Sequence, residues 1–394
     1  MRKVIAPLLM LAVLAIYIPV PEARAVSRAP GTSAESVILL DAAGGTVLYE
    51  RNADARSLVA STTKILTALV VLENRKLDDK VPIKPEYTGV EGSSIYLQAG
   101  ETVTVRELLY GLLLASGNDA ATALACFTAG SVESFAEMMN KKAHDLGCTG
   151  SNFMNPHGLD SREHYSTARD LAKIMSAAME NQTFREISST KTITIGSRSF
   201  RNHNRLLWEY DGLIGGKTGF TRAAGRTLVT CAERGGMTFV CVTLSAPNDW
   251  DDHTELYDWA FSRFQAIRVS RGDTGYAALP VISGTKDTVS VRPSMDFFCI
   301  GAKTDMLAIE IEAPRFVYAG VIRGARAGRI VVRKNGETAA EIPLVYSETV
   351  AVDESARLSA WEKIKWTWRF PDGRGGLSPE ISRHSPATKD NVYA

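Results

Sequence analysis

The 394-residue chain is poor in cysteine, has almost no charge imbalance and carries a single long apolar run. Each shortage excludes something. Five cysteines are too few for a disulfide scaffold, and the odd number leaves at least one thiol free. Cys126, Cys231, Cys241 and Cys299 read as small core residues, while Cys148, beside Gly147, is open to either reading. Forty-five Lys and Arg against 44 Asp and Glu give a net charge of +1, so no global field recruits nucleic acid. An apolar fraction of 45% and a charged fraction of 23% are ordinary for a globular chain. They exclude extended disorder, collagen, coiled coil and a polytopic membrane protein. At roughly 100–200 residues per domain, the length predicts two folded units plus tails.

The apolar run lies at the start. Val4 to Val20 follows Arg2 and Lys3, contains Pro7 and Pro19, and precedes Ala23-Arg24-Ala25. A basic start, a short apolar stretch and a small-x-small site read as a cleaved secretory signal over residues 1–25. A span needs about 20 apolar residues and tolerates two prolines poorly. The mature body is therefore expected to be extracytoplasmic.

A first domain is expected over 26–265. Residues 36–50 alternate around Ala43-Gly44-Gly45, which predicts a hairpin. Ile65, Leu66, Leu69, Val70 and Leu72 recur at helical spacing after Ser61. Residues 103–124 are helical and apolar but broken by Ser116-Gly117-Asn118-Asp119. Helices are expected over 131–146 and 166–180, the latter with Thr167 near its start. Strands follow at 192–195, 227–232 and 237–244, the last two joined as a hairpin, and a closing helix at 256–264. Beyond 266, short β-rich runs separated by Gly, Pro and Asn predict a small all-β unit over 266–350.

Residues 351–370 read as an amphipathic helix. They hold three of the six tryptophans, Trp361, Trp366 and Trp368, with Arg357, Lys363, Lys365 and Arg369 against Glu354 and Glu362. Such a segment suits the headgroup region of an anionic membrane surface and is too short and charged to span it. The competing reading is a helix packed on the β unit. The polar tail 371–394 is expected to be disordered.

Three short patterns carry chemistry. Ser61-Thr62-Thr63-Lys64 opens the first apolar helix, so Lys64 can reach Ser61 one turn earlier. A serine needs such a base near pH 7, and the lysine must be neutral, which burial achieves. The same spacing at Ser188/Lys191 and Ser283/Lys286 lies beside a strand and in a turn, without a shared helical face. Ser116-Gly117-Asn118 is either a plain turn or a loop that aims a hydroxyl and an amide into a cleft. Lys217-Thr218-Gly219 offers a charge and a hydroxyl beside a glycine that lets backbone approach a ligand.

In that order, Ser-x-x-Lys, Ser-x-Asn and Lys-Thr-Gly are the signature of penicillin-recognising serine enzymes. Within that group the chain resembles the low-molecular-weight D-alanyl-D-alanine carboxypeptidases over nearly all of the mature sequence. The resemblance also runs through Gly92-Ser93-Ser94, Leu108 to Ala120, Asn155-Pro156-His157-Gly158-Leu159, Asn202 to Leu207 and Asp211-Gly212. It implies an α+β catalytic domain, an antiparallel sheet flanked by helices, followed by a β-sandwich. It implies that Ser61 attacks the bond between the two terminal D-alanines of a peptidoglycan stem peptide, with Lys64 as proton acceptor and Ser116, helped by Asn118, as relay. Lys217 and Thr218, beside Gly219, would hold the terminal carboxylate, and the backbone N–H groups of Ser61 and Phe220 would form the oxyanion hole. β-Lactams would acylate Ser61. No cofactor is implied.

One departure is visible. Some members carry an arginine shortly after the strand that follows Lys-Thr-Gly, where this chain reads as an acidic loop, Ala246 to His253. That puts an extra carboxylate clamp there in doubt. His157 and His203 have no partners at ligand spacing, so no metal site is expected. The rival readings are a β-lactamase, a D,D-endopeptidase and a non-enzymatic penicillin-binding sensor or wall-binding module. The first lacks a Glu-x-x-Leu-Asn segment between Asn118 and Lys217.

Overall fold

A computed structural model describes residues 29–302 and 304–353. Within them the chain divides into two compact units that meet in sequence at Gln265 and Ala266. The expected signal segment, residues 354–370 of the expected amphipathic helix 351–370 and the tail lie outside the described residues, while 351–353 are not helical: Val352 forms a bridge with Gly284.

The first unit runs β1 (Ser36–Asp41), β2 (Val47–Arg51), α1 (Lys64–Asn74), β3 (Lys80–Pro82), β4 (Thr102–Thr104), α2 (Val105–Leu114), α3 (Asn118–Ala129), α4 (Val132–Asp145), α5 (Ala168–Glu180) and α6 (Gln182–Ser189). It continues β5 (Thr192–Ile195), β6 (Arg198–Arg201), α7 (Leu206–Glu209), β7 (Leu213–Thr221), β8 (Gly225–Arg234), β9 (Met237–Leu244) and α8 (Asp249–Arg263). Five strands form one sheet in the order β2-β1-β9-β8-β7, antiparallel throughout. Its centre is buried on both faces, which is why β1 and β9 read as nearly continuous apolar runs.

Strand alternation divides the core. Ile38, Leu40, Val229, Cys231, Val240 and Val242 join the apolar residues of α1 to α5 in one cluster. The opposite face meets α8, where Phe239 and Phe261 lie with ring centroids 4.7 Å apart. There His253 is fully buried, its Nδ1 2.7 Å from the Thr230 hydroxyl and its Nε2 3.0 Å from that of Thr243. Thr104, Ser131, Thr167 and Asn181 each accept a backbone N–H at the start of α2, α4, α5 and α6.

Several elements differ from the sequence reading: the short β3, β4, β6 and α7 are not in it, and two longer helices also depart from it. Helix α6 is absent from it, because eight residues give barely two turns of periodicity. Helix α8 begins at Asp249 rather than Leu256: Asp249, Asp251 and Asp252 sit in its first turn, where acidic side chains complement the helix dipole. The β8–β9 hairpin turns at Gly235-Gly236, both at positive φ (58° and 75°), the conformation a two-residue turn requires. Thr230 then faces Cys241 and Cys231 faces Val240, so the two thiols are not opposed, and Cys126, Cys148, Cys231 and Cys241 form no disulfide. Cys126 is only half-buried.

The second unit holds β10 (Phe264–Ser270), β11 (Ala277–Ile282), β12 (Thr288–Pro293), β13 (Phe297–Ala302), β14 (Leu307–Glu312), β15 (Val317–Tyr318), β16 (Arg326–Lys334) and β17 (Glu337–Tyr346). A six-stranded sheet, β14-β16-β17-β12-β11-β15, faces the pair β10-β13. Val269 and Cys299 of the pair pack on Ile330, Val332, Ile342 and Leu344. Among the described residues no helix is long and apolar enough to cross a membrane.

His253→Ala would leave the buried Thr243 hydroxyl without its side-chain partner, Thr230 keeping Tyr257, and open a cavity, a cost of about 2–4 kcal/mol. Calorimetry is expected to show the first unit's Tm lowered by roughly 5–15 °C. An unchanged Tm would mean that the sheet–α8 seam does not depend on this network.

Candidate active site

The turn that carries Ser61 is a short 3-10 segment, Ala60–Thr63, which runs directly into α1. Ser61 and Lys64 are therefore one turn apart, and 2.8 Å separates Lys64 Nζ from Ser61 Oγ. The amine has two further contacts. It donates to Asn118 Oδ1 at 2.7 Å and to the His157 carbonyl at 2.8 Å. Asn118, the first residue of α3, cannot present its amide the other way round, because its Nδ2 donates to the Glu91 carbonyl at 2.5 Å.

Lys64 is fully buried, and desolvation holds its pKa well below the usual lysine value. The positive charge of Lys217 adds to this, and Asp119 opposes it. Asp119 is turned elsewhere: its carboxylate accepts the Ser94 hydroxyl at 2.6 Å and the N–H groups of Ile95 and Leu97 at 3.0 Å.

Ser116 occupies the α2–α3 turn at φ 60°, an uncommon conformation for a residue with a side chain. It lines the same cavity as Ser61, of about 320 Å³, whose walls also include Thr218, Phe220, Arg226 and Trp250. Lys217 lies in β7, fully buried, with Nζ donating to the Thr218 carbonyl at 2.7 Å; burial lowers its pKa to about 7. A Cβ at Gly219 would stand 2.3 Å from Thr227 Oγ1 and 3.0 Å from the Ser61 nitrogen. Only glycine lets this edge strand lie against the turn that carries Ser61.

Every residue singled out from the sequence thus gathers here: Ser61, Ser116, Thr218, Gly219 and Phe220 line the cavity, and Lys64, Asn118 and Lys217 are buried around it. The other two serine–lysine pairs do not form. Ser188 is a buried residue of α6 whose hydroxyl donates to the Arg185 carbonyl, while Lys191 lies beyond the helix end. Lys286 pairs with Glu348.

Sequence reasoning missed Ser93, Arg226, Asp249 and Trp250 as cavity residues. The stretch read as an acidic loop is the first turn of α8, and Asp249 Oδ1 accepts Nε and Nη2 of Arg226 at 3.0 and 2.7 Å. Arg226 also stands 5.3 Å over the Trp250 ring. An arginine does line the cavity, but it comes from β8, opposite Phe220 in register. Only knowledge of that pairing could have found it. His203 lines the cavity as well, whereas His157 contributes its carbonyl. Burial lowers the pKa of both, that of His157 to about 3. Among the described residues no three His, Cys, Asp or Glu side chains are grouped to hold a metal ion.

Residues 23–248 match the family model described as D-alanyl-D-alanine carboxypeptidase, and residues 264–352 match that of the penicillin-binding protein 5 C-terminal domain. The chain is 32% identical over 331 residues to the D-alanyl-D-alanine carboxypeptidase DacF of Bacillus subtilis, covering 80% of this chain and 85% of that one. It is 34% identical over 349 residues to DacC of Escherichia coli, covering 82% and 86%. Penicillin-binding protein 5 from Haemophilus influenzae superposes with a TM-score of 0.72 at 29% identity, over 82% of this chain and 99% of that structure. With this fold, this site and these matches, the chain belongs to the D-alanyl-D-alanine carboxypeptidase family of penicillin-binding serine peptidases.

Proposed function

We propose that the protein is a serine D-alanyl-D-alanine carboxypeptidase that removes the terminal D-alanine of peptidoglycan stem pentapeptides. The observation that carries this reading is the set of partners around Lys64. A neutral amine has two N–H donors and one lone pair. Asn118 Oδ1 and the His157 carbonyl can only accept, so they take both donors. The lone pair is left facing Ser61 Oγ, 2.8 Å away, which is what a general base for that hydroxyl requires.

Ser61 Oγ then bonds to the carbonyl carbon of the penultimate D-alanine as its proton passes to Lys64. Ser116 relays a proton to the leaving D-alanine nitrogen as the C–N bond breaks, with Asn118 steadying the site. The N–H groups of Ser61 and Phe220 stabilise the oxyanion; the close approach of Gly219 to the Ser61 nitrogen supports this pairing. Lys217 and Thr218 hold the terminal carboxylate, while Arg226 on the same wall is already paired with Asp249. Water hydrolyses the acyl-enzyme. A β-lactam acylates Ser61 in the same way, but its leaving group stays attached and blocks that last step.

The β-lactamase reading needs a carboxylate to activate the deacylating water, whereas the third contact of Lys64 is a backbone carbonyl. The decayed-sensor reading is disfavoured because every chemical position is filled. A D,D-endopeptidase would use the same acyl-transfer site and differ in its groove. We also place the enzyme outside the cytoplasmic membrane, from residues 1–25, and attach it to an anionic membrane surface through residues 354–370, on their sequence alone.

Incubation with a stem pentapeptide is expected to release D-alanine. Ser61→Ala is expected to abolish both that release and covalent labelling by fluorescent penicillin, and Lys64→Ala to lose both nearly as completely. Labelling that survives Ser61→Ala would overturn the assignment.

Lys217 is charged below pH about 7 and neutral above it. For a substrate with a free terminal carboxylate, kcat/KM is expected to fall as pH rises through that value, and the amidated analogue to lack this limb. Lys217→Ala should cost the carboxylate substrate roughly one to two decades, from the ~1.5–3 kcal/mol of a charge-assisted hydrogen bond. Equal losses for both substrates would remove the carboxylate role.

Mature protein is expected to sediment with anionic vesicles at low salt, and deletion of residues 354–394 to release active enzyme. Failure of the full-length protein to sediment would remove the membrane attachment.

A further inference from the structure

The His157 carbonyl belongs to a loop that is fixed at each step. Asn155 Oδ1 accepts the N–H of Gly158 at 2.7 Å and that of His157 at 3.3 Å, and Asn155 Nδ2 donates to the Leu159 carbonyl at 3.0 Å. The Pro156 carbonyl accepts the Thr67 hydroxyl of α1 at 2.7 Å, tying the loop to the helix that carries Lys64. Gly158 has φ 86°, and a Cβ there would stand 1.9 Å from the Ala60 carbonyl oxygen. The loop therefore lies flush on the nucleophile's turn. Asn155 itself makes no hydrogen bond to Lys64 and does not line the cavity.

We infer that Asn155 is a positioning residue: its carboxamide folds the 155–159 loop so that the His157 carbonyl occupies one N–H of Lys64 and leaves the lone pair aimed at Ser61. The inference rests on the general-base reading above and deepens it. Three acceptors surround one nitrogen. If the His157 carbonyl swings away, the freed N–H can turn toward Ser61 Oγ, and the amine then competes as a donor where it has to accept. Displacements of about 1 Å at such a site cost up to two decades in rate.

The test uses the full chain with Asn155→Ala, and reads the penicillin acylation rate, the end-point label per chain, and kcat and KM for D-alanine release. Asn155→Ala is expected to acylate roughly 10- to 100-fold more slowly, with kcat lowered in parallel and KM within about twofold. Its end-point is expected to stay at one label per chain, which separates misplacement from unfolding. Two outcomes overturn the inference: acylation of Asn155→Ala at the wild-type rate, or an end-point that falls in step with the rate. Absence of labelling in the wild type would instead sink the carboxypeptidase reading on which the inference stands.

Discussion

The burial of one amine, that of Lys64, sets the terms for the proposed active site. Lys64 Nζ lies within 2.8 Å of three oxygens: a hydroxyl, an amide and a backbone carbonyl. None is a carboxylate. A carboxylate among them would pull the pKa of the lysine back up and, on the proposed mechanism, remove the base. The nearest opposing charge, Asp119, is adjacent to Asn118 yet is engaged by the 94–97 loop. Lys217 has the opposite effect, since two ammonium groups in one dry pocket disfavour each other.

The architecture follows from that requirement. Burying a lysine needs close backbone approach from several directions, and two glycines allow it. Gly219 lets the edge strand β7 lie on the 3-10 turn, and Gly158 lets the 155–159 loop lie on its other side. The Asn118–Asp119 pair at the start of α3 then ties the 91–97 segment down: Asn118 through the Ser93 and Glu91 carbonyls, Asp119 through the loop that follows. The sheet and α8 carry the far wall. The first turn of that helix supplies Asp249 to Arg226, and Trp250 lies between Arg226 and Arg205.

Much of this was legible in the sequence because the chemistry is carried by short spacings. Two residues separate Ser61 from Lys64 and one separates Ser116 from Asn118, so a single helical turn or a tight loop brings each pair together. The strand and helix pattern of the first unit was readable for the same local reason. What escaped depends on pairings across the fold. Arg226 reaches the cavity through its register with Phe220, and the third partner of Lys64 is a main-chain oxygen, which no side-chain pattern marks. Asp249 to Asp252 read as loop because acidic residues look polar wherever they fall, although at a helix start they are stabilising. The β strands of the second unit were legible as runs, but not the facing of one sheet on the other.

The central claim concerns where protons sit, so neutron diffraction from crystals of the ligand-free enzyme grown in D2O near neutral pH tests it most directly. The account predicts two deuterons on Lys64 Nζ, one toward Asn118 Oδ1 and one toward the His157 carbonyl, with the Ser61 deuteron pointing at the nitrogen. Three deuterons on Nζ, one of them directed at Ser61 Oγ, would contradict it.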